Sequence, residues 1–294
     1  MPSATEQAHP RARRANPLRS RRSHRGNGMA GRSWVLALAF SLIAQSAVAD
    51  YRSGLAAYMR NDFTTAIAEW TPVATQGDAR AQFNLGLMAE TGEGAAPDYA
   101  AAASWYRLAA DQGDVRAQSN LGVILATGLA GAADFPEALH WLRLAADQGD
   151  AAARFHLGAL YESGTGVAQD DAEALRLFTL AAEQNIPDAH HALGRMYARG
   201  SGVAADPAEA RRHYRAAAAQ GHVGALHALI DIYQNGTPPD PITTLLWATI
   251  AAARGDAAAA DLRARLEATL PQPDIDTARR RIMPCIGSGY TTCD

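Results

Sequence analysis

The chain offers few residues of the types that do chemistry, and their spacing decides how they read. Of nine histidines, His190 and His191 are adjacent, so on a helix their side chains diverge by about 100° and do not easily share one metal. His191 and His227 stand 36 residues apart, with Asp231 four residues beyond the second. On neighbouring helices, with axes about 8–10 Å apart, such a set could bridge a cation. Phe83, Ser119 and Phe155 hold the same position at earlier 36-residue steps, which favours half-buried packing instead. Nucleophilic catalysis needs an attacking group, an adjacent base and an orienting third group. No G-x-S-x-G, C-x-x-C or H-E-x-x-H pattern occurs. Gly-x-Gly runs at Gly92, Gly164 and Gly200 resemble phosphate loops, but such a loop needs a strand before it and a helix after it. These runs follow helical stretches and recur regularly, so they read as turns. The pattern calls for no cofactor, no metal and no catalytic residue.

What positions these residues is a repeat. Gly77 recurs as Gly113, Gly149, Asn185 and Gly221, each 36 residues on. Leu85-Gly86 recurs as Leu121-Gly122, Leu157-Gly158 and Leu193-Gly194, and Ala109-Ala110 as Ala145-Ala146, Ala181-Ala182 and Ala217-Ala218. A fixed period of this size marks stacked supersecondary units. The expected fold is all-α: an α/α solenoid, a right-handed superhelix of two-helix repeats. The first helix of a unit spans 79–91, with Ala81, Leu85 and Met88 on one face, and ends at Gly92, a residue suited to the left-handed C′ position. Gly128, Gly164, Gly200 and Gly236 share that column. The second helix starts after an N-cap Asp: Asp98, Asp134, Asp170, Asp206 or Asp240. Glu137, Glu173 and Glu209 follow at capping-box spacing. Trp105, Trp141, Leu177, His213 and Trp247 supply bulk in one column, and Asn185 replaces Gly where an αL residue is needed. One hairpin cannot bury its apolar face alone, so stability comes from stacking.

The runs GDARAQFNLGLMAETGEG and DYAAAASWYRLAADQGD resemble the Sel-one-like repeat family, relatives of the tetratricopeptide repeats, over roughly Tyr51 to Cys293. The resemblance implies an interaction scaffold, with a bacterial envelope regulator or assembly factor as the setting, for instance one that binds the outer domain of a membrane sensor. Some cysteine-rich relatives have been proposed to bind or hydrolyse β-lactams. Those carry a cysteine pair in each unit, and this chain has none within its repeats.

Residues 1–28 hold seven of the arginines and read as a basic arm, or as sequence upstream of a true start at Met29. Met29 opens an export signal: Arg32, the apolar run 34–43 and Ala47-Val48-Ala49, with cleavage expected after Ala49. The apolar run falls short of the ~20 residues of a spanning helix, so no stable membrane insertion is expected and the protein is placed in the periplasm or outside the cell. Residues 50–76 read as a shortened N-terminal capping repeat, 77–254 as five repeats, and 255–294 as C-terminal capping helices and tail. Ala258, Leu262, Leu266 and Leu270 would face the core, followed by a short helix over 275–283. Cys285 and Cys293, the only cysteines, read as a structural disulfide in an exported chain. The ends of exported family members look similar.

Without residues 1–49 the chain has 19 basic and 29 acidic residues, net about −10, and the basic ones are all Arg. Such a chain is a poor ligand for nucleic acid or anionic lipid. What remains is the exposed side of the first helices, expected to bind a protein partner in the cell envelope. The candidate surface is Arg80, Asn84, Leu87, Arg116, Asn120, Val123, His156, His191, Arg195 and Asp231. The rival expectation is an envelope enzyme or binder acting on peptidoglycan or a β-lactam-like ligand, with a polar pocket around His156, His191, Arg195 and His227. A monomer is expected, with self-association through the solenoid ends as the alternative.

Overall fold

The structure is a computed structural model that describes residues 51–293. The signal segment and the basic arm lie outside the described residues. Fourteen helices and no strands are found among the described residues. A short helix α1 (51–58) pairs with α2 (Phe63–Thr75). Five helix pairs follow: α3 (Ala79–Thr91) with α4 (Tyr99–Ala110), α5 (Val115–Thr127) with α6 (Phe135–Asp147), α7 (Ala151–Ser163) with α8 (Asp171–Ala182), α9 (Pro187–Arg199) with α10 (Pro207–Ala219), and α11 (Val223–Gln234) with α12 (Pro241–Ala253). The chain ends with α13 (Ala257–Thr269) and α14 (Gln272–Gly287). From α2 to α13 each helix packs on its neighbours in sequence, and α14 folds back onto α12, which makes an all-α solenoid.

The local signals act as their chemistry demands. Asp98, Asp134, Asp170, Asp206 and Asp240 each cap a second helix by accepting from a backbone N–H two or three residues on. The capping box is only half made. Glu137 turns to Arg107 and Trp141, while Glu173 and Glu209 turn to Arg176 and Arg212. A guanidinium is a stronger partner for a carboxylate than one backbone N–H. Gly92, Gly128, Gly164 and Gly200 are left-handed C-caps, with φ of 77°, 70°, 67° and 76°. Gly236 departs from its column: α11 closes on Asn235 at φ −106°, because the loop to Asp240 is shorter. Asn185 does adopt the left-handed conformation, at φ 62°.

Packing within a unit turns on one contact. Gly86, Gly122, Gly158 and Gly194 on the first helices lie against Tyr106, Leu142, Phe178 and Tyr214 on the second. A Cβ there would sit 2.6, 2.6, 2.9 and 2.6 Å from the facing side chain, so no larger residue fits without displacing it. This column, one residue beyond the Trp105 column, supplies the most deeply buried bulk; Trp105 itself is half-buried. In the fifth pair the sizes are exchanged: Ile230 stands in the glycine column and Ala248 in the bulky one, both buried in one cluster. Gly54 and Trp70 repeat the contact between α1 and α2, ahead of the five pairs.

A polar ladder ties unit to unit. Gln82 Nε2 donates to Ala74 O at 2.9 Å, Gln118 Nε2 to Ala110 O at 3.2 Å, and Arg154 Nε to Ala146 O at 3.2 Å. Each adds a second donor to a carbonyl at the end of the preceding second helix, which also accepts from the N–H of Gly77, Gly113 or Gly149 just past that end. Gln112 and Gln148 extend the ladder by donating to Gln82 Oε1 and Gln118 Oε1, both at 2.7 Å.

The C-terminal end corrects two expectations. On α13 the buried residue is Ala259, and Ala258 is exposed, since the helix is rotated to bring Ala259 onto α12. The last helix runs from Gln272 to Gly287 rather than 275–283, because Pro273 lies in the first turn, where its missing N–H costs nothing. A disulfide joins Cys285 and Cys293. It holds Tyr290 over Trp247, with ring centroids 5.6 Å apart, so the tail closes the core of the fifth pair. No helix among the described residues is long and apolar enough to cross a membrane.

Candidate functional site

The first helices α3, α5, α7, α9 and α11 present the candidate residues along one side of the stack. At its N-terminal end these are bound up internally. Arg80 pairs with its own N-cap Asp78 at 2.6 Å and lies 4.3 Å over the Tyr51 ring. Arg116 repeats this with Asp114 at 2.9 Å and the Phe83 ring at 4.0 Å. Each guanidinium is thus a clamp on the preceding unit, although both stay largely exposed. Asn84 donates to Tyr51 Oη and Asn120 to Tyr106 Oη, the latter in turn bonded to Glu90. Burial and the Glu90 carboxylate push the Tyr106 phenol up. Leu87 and Val123 are partly buried against core clusters.

Further along, the side chains open onto clefts. A cleft of about 200 Å³ lies between α7 and α9, floored by Phe155, Ala159, Phe178 and Ala192 and rimmed by Glu162, Asp188, His191 and Arg195. Arg195 donates twice to Glu162, at 2.8 and 2.9 Å, bridging the two units. A second cleft, of about 330 Å³, lies between α11 and α13, with Ile230, Ala259 and Leu262 below and His227, Asp231 and Arg265 at the edge. Asp231 accepts from Asn235.

The histidines do not meet as one site. His191 stacks on His222, centroids 4.3 Å apart, and the space between α9 and α11 is filled by that stack. Burial lowers its pKa to about 4, with His222 and Arg195 adding to the effect. His227 pairs with Asp256, the N-cap of α13, rather than with His191 or Asp231. His156 packs edge-on to Phe155, and burial lowers its pKa. His190 and His213 bring their Nδ1 atoms to 3.1 Å, with the Tyr197 ring stacked on His213. Among the described residues, no cluster of three or more His, Cys, Asp or Glu could hold a metal. The Gly-x-Gly runs are left-handed turns, with positive φ at Gly92, Gly94, Gly164, Gly166, Gly200 and Gly202.

Glu162, Phe178 and His222 complete the site and were missed in the sequence. Only the stacking register brings Glu162 to Arg195, 33 positions away. Phe178 could have been found from its place in the bulky column.

No curated protein matches the chain. Among solved structures, a protective antigen present in uropathogenic Escherichia coli strains, displaying an SLR fold, superposes with a TM-score of 0.65. Identity is 29%, over 79% of this chain and 51% of that one, so the chain spans about half the antigen's length. A Sel1 repeat protein from Oxalobacter formigenes superposes with a TM-score of 0.62 at 31% identity, over 70% of this chain and 84% of its own. The Sel1 repeat matches residues 79–114, 115–150, 151–186, 187–222 and 225–256, more than half of the sequence, and the chain belongs to the Sel1 repeat family.

Proposed function

We propose that the chain is an exported, non-enzymatic protein-interaction scaffold of the bacterial cell envelope. Its first-helix face holds an extended segment of a partner protein, such as the outer domain of a membrane sensor. Sel1 repeat proteins generally serve as protein–protein interaction scaffolds. The observation that carries the reading is the succession of clefts on one face, each with an apolar floor and a charged rim. Extended partners lie along such faces in other solenoids. Asp188, His191, Arg195 and Asp231 are the contact residues this arrangement favours; Arg80, Asn84, Arg116 and Asn120 contribute through the faces their internal contacts leave exposed. The Cys285–Cys293 disulfide supports export, since such bonds persist in oxidising compartments.

Capture of envelope proteins by residues 50–294 tests this, with Asp188→Arg and Asp231→Arg on the first-helix face and Glu183→Arg at the C-cap of α8 as control. A partner lost from the first two and kept by the third is expected. A partner that survives all three variants would refute the assignment of the face.

A second reading is an envelope enzyme or binder acting on peptidoglycan or a β-lactam-like ligand. It rests on His191, held neutral beside Asp188 and Arg195 in the same cleft. Turnover or binding of a cell-wall fragment that is lost in His191→Gln, with protein capture intact, would move it ahead.

A further inference from the structure

The second-helix side of the stack carries a different feature. Between α6 and α8, over α7, is a cleft of about 320 Å³ lined by Arg143, Asp147, Arg154, Tyr161, Glu173 and Arg176, with leucines behind. The repeat supplies internal controls, because the same positions exist at the unit boundaries on either side.

At the boundary before, the positions of Arg143, Glu173 and Leu177 are held by Arg107, Glu137 and Trp141. Arg107 crosses to Glu137 at 2.5 Å, Trp141 Nε1 donates to the same carboxylate, and the indole fills the space. At the boundary after, His213 fills it, stacked on Tyr197 and bonded to His190. Only at the middle boundary is the bulky residue reduced to Leu177. There the expected bridge from Arg143 to Glu173 is also absent, because Glu173 is held by Arg176 through bonds of 2.8 and 2.7 Å. Arg143 turns instead to Tyr161 Oη at 3.1 Å, and Arg154 donates its Nε to Ala146 O. Neither makes an ion pair within the described residues. Three guanidiniums face two carboxylates here; one guanidinium faces two carboxylates at the equivalent positions of each flanking boundary. Residues 50–294 together carry a net charge of about −10, so this is a local reversal with room in it.

We infer that this cleft binds an oxyanion, a carboxylate or phosphate group, through Arg143 and Arg154 with Tyr161 Oη as a further donor. Planar guanidiniums match such anions by paired N–H bonds, and the half-enclosed wall limits screening. Asp147 at the rim sets a limit on affinity and discriminates against anions that approach from its side. The site is independent of the first-helix face, so its failure would leave the scaffold reading untouched.

The test is calorimetric titration of the full chain, at low ionic strength, with inorganic phosphate, citrate and a hexaglutamate peptide. Saturable binding of at least one probe is expected, weakening as salt is raised. Binding should fall at least tenfold in the Arg143→Gln/Arg154→Gln variant. It should fall equally in Leu177→Trp, which fills the cleft with the residue that occupies it one unit earlier and leaves every charge in place. Arg280→Gln on α14, exposed and distant in sequence, should bind like the wild type. Tight binding of the peptide with weak binding of phosphate assigns an acidic protein segment, and the reverse assigns a small anion. No saturable binding of any probe, or variants that bind as well as the wild type while circular dichroism shows them folded, overturns the proposal.

Discussion

The exchange of sizes between the fourth and fifth pairs can be turned into a double-mutant cycle. Gly194→Ile places a branched side chain where a Cβ alone would already lie 2.6 Å from the Tyr214 ring. Overpacking of this kind costs about 1–3 kcal/mol, offset in part by the ~0.5 kcal/mol gained when Ile replaces Gly in a helix interior. Tyr214→Ala removes an aromatic ring that is 5% exposed, for about 3–5 kcal/mol. The double variant reproduces the Ile230/Ala248 pair, in which the branched chain on the first helix occupies space vacated on the second. If that complementarity is what fits the helices together, the double variant is more stable than the sum of the singles by about 2–3 kcal/mol, at the upper end of measured couplings between touching residues. Urea unfolding of the four proteins, followed by circular dichroism at equal protein concentration, gives the coupling. Simple additivity within about 0.5 kcal/mol would refute the claim that the glycine column exists to admit the bulky one.

Three further outcomes follow from the same contacts. His213, 6% exposed, has its pKa lowered to about 4 by burial, with Arg212 and His190 adding and Glu209 opposing. The unfolded chain therefore binds the extra proton first, so this stability is complete above pH 6.5 and is lost as the pH falls toward 4, by about 2 kcal/mol at pH 5. His213→Leu, which copies Leu177 of the preceding unit, should flatten the pH dependence of the unfolding midpoint across that window; an unchanged slope would sink the assignment. Reducing the Cys285–Cys293 disulfide, which closes a loop of sequence separation 8, should cost about 2–3 kcal/mol and free the Tyr290 ring from Trp247, read as faster amide exchange in α12. Gln118→Leu removes the side-chain donor to the Ala110 carbonyl, which keeps the Gly113 N–H, and should destabilise the chain by about 0.5–1.5 kcal/mol in urea unfolding, more than Gln220→Leu, which is exposed.

The partners of individual residues divide into those set by near neighbours and those set by stacking. Asp98 caps α4 because its carboxylate needs to reach only three residues, and Asn185 turns left-handed because its own side chain tolerates that conformation. Both were legible. Arg80 reads as a free cation on an exposed helix face, yet it closes over Tyr51, 29 positions earlier. His191 and His227 share a column and do not touch, since His222 and Asp256 from the following turns reach them first. A column fixes which face a residue occupies. It does not fix what crosses the gap to meet it.

By itself the sequence determined the period, the helix pairs, their caps and turns, and the pairing of the two cysteines. All of these depend on contacts within a few residues or on a pattern repeated often enough to be read. Only the tertiary structure decided which unit boundaries are filled and which are open, and which arginines are clamps and which keep unused donors. Those outcomes depend on side-chain volumes and hydrogen bonds meeting across about 30 residues of chain. The exchange of Trp141 for Leu177 opens a cleft because neither Tyr161 nor Arg176 moves in to close it.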